Sequence, residues 1–149
     1  MRAVIQRVTS SKVEVDNEVK GKIGKGFNVL LGISKDDTID DAVYIRDKII
    51  NLRVFEDEEG KMNKSLLDVN GELLIISQFT LYGDCRKGRR PNFMQALSGE
   101  EAEKIYDEFL KLCSESIEVV QHGVFGADMN VSIENSGPVT ILLDSKKNF

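Results

Sequence analysis

Two short segments carry the residue types best suited to chemistry, Ser77–Leu81 (Ser-Gln-Phe-Thr-Leu) and Gly137–Thr140 (Gly-Pro-Val-Thr). The first follows the apolar run 73–76, so it puts two hydroxyl groups and a side-chain amide at the end of a buried strand. Side chains alternate between the two faces of extended backbone, and no single face collects these polar groups. A site here would therefore use backbone N–H groups, as an oxyanion hole does. The alternative is a polar strand end that pairs with a neighbouring turn.

The second segment places one of the two prolines of the chain directly after Gly137, where strand sequence begins. A Gly-Pro pair usually marks a trans turn, because only ~5–6% of X–Pro bonds in folded proteins are cis. Proline at a strand start is tolerated only at the first residue or on an edge. A cis bond would aim the carbonyl groups of Gly137 and Pro138 in nearly the same direction, forming a rigid wall without side chains. The residues alone leave both conformations open.

A basic run, Arg86-Lys87-Gly88-Arg89-Arg90, interrupts a chain whose net charge is −5. The negative charge argues against a protein that coats nucleic acid through many phosphate contacts. The run itself is either a solvated loop or a small clamp for the phosphates at the end of a nucleic acid.

Side-chain acid, base and nucleophile motifs are scarce. The sole histidine, His122, precedes Gly123 without a positioned serine or cysteine partner, so we expect it to be structural or exposed. Cys85 lies beside two cations that favour a reactive thiolate, but no base is visible near it in the sequence. No metal-ligand spacing and no glycine-rich phosphate loop is present, so we expect neither a metal nor a cofactor.

The elements that position these residues are short strands with two helices among them. Apolar spacing predicts helices after Thr38 and after Ser98, the latter with Glu101 as a capping-box partner. Alternating or continuous apolar residues predict strands, which include 4–15, 19–23, 27–33, 52–55, 73–76, 117–121, 129–133 and 139–143. Strands that outnumber helices and follow one another directly predict an α+β fold. Its mainly antiparallel, barrel-like sheet would pack against about two helices.

Length and composition bound the class of protein. The chain of 149 residues fits a single domain over 1–149 with a core of its own. The N-terminal segment lacks the apolar stretch of a signal peptide, and no run approaches the ~20 apolar residues of a membrane span. Its two cysteines form no paired motif, which is typical of reduced thiols. We therefore expect a cytoplasmic protein with no membrane partner.

Several motifs in order give the chain a family resemblance. They are Ala3–Val8, Gly60–Asn63, Ser77–Leu81, Arg90–Phe93, Phe125–Met129 and Gly137–Thr140. On these residues the chain resembles the D-aminoacyl-tRNA deacylase (D-Tyr-tRNA deacylase) family from end to end.

The resemblance implies an enzyme of translation proofreading. It would hydrolyse the ester between a D-amino acid and the 3′-terminal adenosine of tRNA. It implies a homodimer with strands contributed to the interface, in which Gly137-Pro138 is a cis dipeptide inserted into the partner's active site. Carbonyl groups that hold the α-amino group of the substrate would crowd an L side chain and leave a D side chain free. Glycine, which lacks a side chain, would also be accepted.

The resemblance also implies roles for individual residues. Ser77, Gln78, Phe79 and Thr80 would line the ester, with backbone N–H groups as oxyanion donors. Thr80 is either a nucleophile or a residue that positions a water molecule assisted by the 2′-hydroxyl of the ribose. The remaining roles that it implies are those of Arg7, which would fix the incoming Gly-Pro loop, and of Phe125 and Met129 at the adenosine. The basic run itself, and not the resemblance, assigns Arg86, Lys87, Arg89 and Arg90 to phosphates.

Two other classes of function remain open from the residues. One is a non-catalytic module that binds RNA ends through Arg86–Arg90 and Phe93. The other is a hydrolase or thiol enzyme that depends on Cys85. The tRNA 3′ end and a second copy of the chain are the expected partners, and DNA is not.

Overall fold

The computed structural model describes residues 1–149, which form eight strands, two α-helices and one 3-10 helix. In chain order these elements are β1 (Arg2–Val15), β2 (Glu18–Ile23), β3 (Gly26–Gly32), α1 (Ile39–Asn51), β4 (Phe55–Glu56), β5 (Met62–Lys64), β6 (Glu72–Ser77), the 3-10 helix (Phe79–Tyr82), α2 (Gly99–Ser114), β7 (Val120–His122) and β8 (Asn130–Asp144). The predicted α+β class with two helices is confirmed.

The main sheet has the strand order β2-β1-β3-β6-β7, and β8 pairs with β1. β1 pairs in antiparallel fashion with β2, β3 and β8, whereas the pairs β3–β6 and β6–β7 are parallel. The sheet is thus mixed, because the chain crosses from β3 to β6 through α1, and such a crossover brings the next strand in parallel. The sheet curls toward closure. A Cβ on Gly21 of β2 would lie 2.9 Å from the carbonyl oxygen of His122 in β7.

The two faces of the sheet hold two apolar clusters. The larger cluster joins β1, β3 and β6 to the helices through residues that include Ile5, Phe27 and Ile75. The smaller cluster, on the inner side of the curl, contains Val8, Val13, Ile23, Leu74 and Ile76. β6 contributes Leu73 and Ile75 to one cluster and Leu74 and Ile76 to the other, so it is apolar on both faces, which is typical of a central strand with parallel neighbours.

Both helices bury one apolar stripe. Ahead of α1 the carboxylate of Asp41 accepts the backbone N–H of Thr38 at 2.8 Å, as a capping box requires. Ser98 has the extended backbone of an N-cap before α2, but its side chain makes no capping hydrogen bond. The predicted capping box at Ser98 was wrong. Tyr106 anchors α2 to the sheet by donating its hydroxyl to the carbonyl of Ile75 at 2.8 Å.

Four predicted strands differ from those observed. Strand 52–55 shrinks to Phe55–Glu56, and strand 117–121 moves to Val120–His122. The predicted strands 129–133 and 139–143 are one continuous strand, β8. The turn signals of the intervening residues mark an irregularity in that strand, because β1 pairs with β8 on both sides of it. Neither helix is long and apolar enough to cross a membrane.

Candidate active site

A cavity of about 410 Å³ opens where β3 and β6 end. Parallel strands end at the same edge of a sheet, so the residues that follow them face each other there. The cavity is lined by Ser77, Gln78 and Phe79 together with Phe125 and Met129, all five of them predicted site residues. The structure therefore brings together two motifs that lie nearly fifty residues apart in the sequence.

The segment after β6 turns at once into the 3-10 helix. The N–H of Gln78 donates to the carbonyl of Leu31 at 2.7 Å, which extends the β3–β6 pairing by one bond. Gly32 permits this close approach, because a Cβ there would lie 3.0 Å from both the Gln78 oxygen and the Leu81 Cβ. Beyond this point Phe79 and Thr80 begin the 3-10 helix, and the first N–H groups of a helix have no acceptor within that helix. They are the free backbone donors of the site.

Thr80 is not among the residues that line the cavity. Its Oγ1 accepts a hydrogen bond from Nε2 of Gln78 at 2.5 Å, so the Gln78 amide occupies one lone pair of this oxygen. The imidazole Nδ1 of His122 contacts the Gly123 carbonyl at 2.7 Å, and His122 lies outside the cavity. No base adjoins the Thr80 hydroxyl. The only titratable side chain that lines the cavity is Asp128.

Gly137 and Pro138 lie in the irregular middle of β8, and both are exposed. The peptide bond between them is cis, as the resemblance implied. Gln6 pairs with Thr140 and Val8 with Asn135, so residues 136–139 bulge outward opposite the single residue Arg7. Neither Gly137 nor Pro138 lines the cavity of its own chain.

Arg7 and Asn135 hold this bulge in place. Arg7 donates Nε to the carbonyl of Ser136 at 3.3 Å and Nη1 to the carbonyl of Val54 at 2.7 Å. The Asn135 side-chain amide donates to the carbonyl groups of Arg7 and Val139, at 2.9 and 3.0 Å. Arg7 thus sits beside the Gly-Pro bulge of its own chain and does not line the cavity.

The four cations predicted to contact phosphate are all exposed on the loop of residues 84–92. Two hydrogen bonds between the backbones of Asp84 and Asn92 close this loop, at 2.8 and 3.0 Å. Arg86 forms a bidentate pair with Asp84, and its Nε and Nη2 lie 2.9 and 2.6 Å from the carboxylate oxygens. This hydrogen bonding lowers the pKa of Asp84 to about 2. Lys87, Arg89 and Arg90 pair with no carboxylate, so they carry the free positive charge of the loop.

Sequence reasoning missed eleven of the sixteen residues that line the cavity. The residues it did not assign are Leu31, Ile33, Ile76, Leu97, Ser98, Gly99, Ala102, Gly126, Ala127, Asp128 and Val131. Most are apolar or small, and they lie at strand ends, around the start of α2 and in the loop before β8, so no signal distinguishes them from core residues. Asp128 could have been found, since it lies inside the matched motif Phe125–Met129. The structure contains no group of three or more His, Cys, Asp or Glu side chains that could hold a metal ion.

Comparison with known proteins identifies the family. The sequence model described as D-Tyr-tRNA(Tyr) deacylase matches residues 4–144. The chain belongs to the D-Tyr-tRNA(Tyr) deacylase family. It is 70% identical over 149 residues to the D-aminoacyl-tRNA deacylase of Clostridium beijerinckii, and the match covers 100% of each chain.

Two solved structures share the fold. The c-Myc DNA unwinding element binding protein is 47% identical with a TM-score of 0.92, over 97% of this chain and 98% of that one. A probable eukaryotic D-amino acid tRNA deacylase is 20% identical with a TM-score of 0.82, over 95% and 97% of the two chains. Membership of the deacylase family confirms the predicted resemblance and the predicted enzyme class, a hydrolase of aminoacyl-tRNA.

Proposed function

We propose that this family member hydrolyses the ester between a D-amino acid and the 3′-terminal adenosine of tRNA, and so proofreads aminoacyl-tRNA before translation. The observation that carries the proposal is the cavity in which Ser77, Gln78 and Phe79 meet Phe125 and Met129. The catalytic domain spans residues 1–149 and acts in the cytoplasm. It needs no metal or cofactor for the step described below.

The free N–H groups of Phe79 and Thr80 are the oxyanion donors of this mechanism. A water oxygen attacks the ester carbonyl carbon, and the negative charge that develops on the carbonyl oxygen is stabilised by these donors. The 3′-oxygen of the ribose then leaves with the electron pair of the broken bond and takes up a proton. The neighbouring 2′-hydroxyl relays the proton from water to this oxygen. Ser77 and Gln78 line the ester, and Thr80 positions the reacting groups through its bond to Gln78.

Thr80 is not the nucleophile in this mechanism. A threonine hydroxyl needs an adjacent base to become reactive. The Thr80 oxygen instead accepts the Gln78 amide, and the sole histidine of the chain is engaged at Gly123. Water attack requires no such base from the protein.

The Gly137-Pro138 bulge of one subunit completes the cavity of its partner in a homodimer. Within one chain the bulge lies opposite Arg7, which pairs with Phe27, four residues before the cavity residue Leu31. The bulge and the cavity of one chain are therefore roughly 13 Å apart along the strand. β8 has no partner on its outer edge, and Leu142 on this strand is 57% exposed. An unpaired edge of this length is a surface that proteins usually cover. Arg7 then fixes the bulge that enters the partner.

Chirality is enforced by exclusion in this arrangement. The Gly137 and Pro138 carbonyl groups hold the α-ammonium group of the substrate and crowd the side on which an L side chain would project. A D side chain points into open space, so no residue needs to read it. Glycine passes as well.

The nucleic-acid end of the substrate follows from the same cavity. Phe125 and Met129 flank the terminal adenosine, and Arg86, Lys87, Arg89 and Arg90 contact phosphates of the acceptor end. One relative is named for a DNA element. With a net charge of −5, this chain presents only a local basic loop, and we propose that its partner is the end of tRNA and not duplex DNA.

Release of amino acid from D-tyrosyl-tRNA, L-tyrosyl-tRNA and glycyl-tRNA tests the proposal. We expect rapid loss of the D ester, loss of the glycyl ester and retention of the L ester. Equal hydrolysis of both tyrosyl esters would leave an esterase but remove the chiral exclusion. Binding of tRNA without any hydrolysis would favour a non-catalytic RNA-end binding module.

A further inference from the structure

An aromatic surface leads out of the cavity toward the basic loop. Phe79, which lines the cavity, packs edge-to-face against Phe93, with ring centroids 5.2 Å apart. Phe79, Phe93 and Met94 are 55%, 37% and 71% exposed. Large apolar side chains that are exposed next to one another indicate a surface that binds something.

The backbone holds Phe93 firmly. The N–H of Leu97 donates to the carbonyl of Ile33 at 2.9 Å, and the N–H of Lys35 donates to the carbonyl of Gln95 at 3.1 Å. These two bonds tie the segment after Phe93 to the end of β3. On the other side, the ring packs against Gly83, where a Cβ would lie 3.1 Å from Cε1 of Phe93. The ring is therefore positioned before any ligand arrives, which lowers the entropy cost of binding.

The charge beside this surface selects the ligand. Phe93 follows directly on the loop of residues 84–92, whose Lys87, Arg89 and Arg90 pair with no carboxylate. Aromatic rings next to free cations are the arrangement by which proteins bind single-stranded nucleic acid, with bases on the rings and phosphates on the cations. An apolar peptide would leave these cations without a partner.

We propose that Phe93 and Met94 form a stacking platform for the cytidine next to the terminal adenosine of tRNA. The proposal rests on the function proposed above and adds a second nucleotide subsite to the cavity. All tRNAs end in an unpaired cytidine-cytidine-adenosine sequence, so a nucleotide bound at Phe125 and Met129 would be followed by an unstacked cytidine. The cavity reaches Phe93 through Phe79, and the basic loop continues along the backbone of the strand. The platform thus distinguishes the end of a nucleic acid from a free nucleoside.

Three D-tyrosyl esters test the platform, namely those of adenosine, of the trinucleotide cytidine-cytidine-adenosine and of full tRNA. We expect the wild-type protein to have a higher kcat/KM with the trinucleotide ester than with the adenosine ester. The Phe93→Ala change should lower the ratio of these two constants about 5- to 150-fold, the range for loss of one stacked base. Phe93→Trp should restore the ratio. Phe149→Ala, at another exposed phenylalanine, should leave it at the wild-type value.

The outcomes separate this platform from the proposed function. Equal wild-type constants with the trinucleotide and adenosine esters would overturn the platform while the deacylase activity stands. The same fold-loss on both esters in Phe93→Ala would also overturn it, because Phe93 would then act only by supporting Phe79. If the alanine variant does not fold, Phe93→Leu replaces it in the test, because leucine removes the aromatic ring but keeps an apolar side chain against Gly83. Failure of the wild-type protein on all three D esters would instead refute the proposed function.

Discussion

The guanidinium of Arg2 donates Nη1 to the carbonyl oxygen of Leu81 at 3.0 Å and so ties the start of β1 to the 3-10 helix. Its Cζ lies 4.6 Å from the ring centroid of Tyr82, and its Nε pairs with Asp144 at 3.2 Å. The free N–H groups of Phe79 and Thr80 belong to this same helix. Arg2 therefore holds the backbone that supplies the oxyanion donors, although it does not line the cavity.

Loss of the Arg2 guanidinium should reduce kcat. We expect Arg2→Ala to lower kcat about 10-fold with little change in KM, since a hydrogen bond to a charged group contributes ~1.5–3 kcal/mol. Arg2→Lys, which keeps a cationic donor, should recover part of the loss. Single-turnover hydrolysis of D-tyrosyl-tRNA measures the change.

The control for Arg2 is Arg53→Ala. Arg53 is an arginine that also donates to a carbonyl, that of Asn63, but it does so away from the cavity. If Arg2 only stabilised the fold, both variants would have a lower thermal midpoint and each would keep the kcat of the wild-type protein. That result would contradict the positioning role.

The pattern of the fold was predictable where local residues decide it. Continuous apolar runs gave β3 and β6, and the apolar spacing of α2 gave its buried face. The mixed pairing was not predictable, because parallel or antiparallel direction depends on how α1 and the β4–β5 hairpin carry the chain across the sheet. The continuity of β8 was missed for a similar reason. Its irregular middle is held by Arg7, a residue far away in sequence.

The residues of the candidate site were also only partly predictable from the sequence. Ser77–Phe79, Phe125 and Met129 could be assigned because they lie in motifs of the family. The resemblance could not place Arg2, since its contact with Leu81 depends on tertiary structure alone. The pairing of Arg86 with Asp84 could not be predicted from the run of cations either, although the two residues are only two positions apart in the sequence.

Substitution of Gly137 should abolish discrimination between D and L esters in a way that a mixed dimer repairs. Gly137 has φ of +116°, and a Cβ would lie 2.9 Å from Nη2 of Arg7, so Gly137→Ala must displace Arg7 or the bulge. We expect this variant to lose discrimination between D- and L-tyrosyl-tRNA. Gln78→Ala should lose activity through the cavity itself.

Co-expression of the Gly137→Ala and Gln78→Ala chains tests whether the bulge acts in the partner. In a mixed dimer one cavity has an intact Gln78 and receives an intact Gly137 from the other chain. We expect D-specific activity from purified mixed dimers and none from either parent. Inactive mixed dimers would place the bulge and the cavity in the same subunit.

Removal of the Thr80 hydroxyl should weaken but not abolish hydrolysis. Thr80→Ala removes the acceptor of the Gln78 amide, so a loss of about 10-fold in kcat is expected from one lost hydrogen bond. Thr80→Ser should behave like the wild-type protein. A nucleophilic Thr80 would instead form an acyl-enzyme. Complete loss of turnover in Thr80→Ala with unchanged tRNA binding would support that mechanism.

The two cysteines should differ in reactivity, and neither should be needed for catalysis. Cys85 is exposed, whereas burial raises the pKa of the Cys113 thiol from 9.0 to about 12. We expect a thiol reagent to modify Cys85 in the native protein and Cys113 only after unfolding. Cys85→Ser should keep D-tyrosyl-tRNA hydrolysis, and an inactive variant would revive the thiol-enzyme alternative.

The Cys113 thiol also gives a dependence of stability on pH. Its pKa is higher in the folded than in the unfolded state, so the folded state holds this proton more tightly. The resulting contribution to stability is complete below pH 9.0 and is lost as the pH rises toward about 12. Cys113→Ala should remove this part of the pH dependence in denaturant titrations, and an unchanged profile would contradict it.

The cations of the basic loop should contribute unequally to tRNA binding. Lys87, Arg89 and Arg90 are free to contact phosphate, whereas Arg86 shares its charge with Asp84. Replacing any one of the free cations by glutamine should reduce the slope of log Kd against log salt by about 0.7, the value for one single-strand phosphate. Arg86→Gln should change the slope less, and Asp84→Asn should increase it by releasing Arg86. Titrations of unacylated tRNA between about 50 and 200 mM salt measure these slopes. If the slopes were equal in all variants and the wild-type protein, the cations of the loop would be solvated and would not contact phosphate.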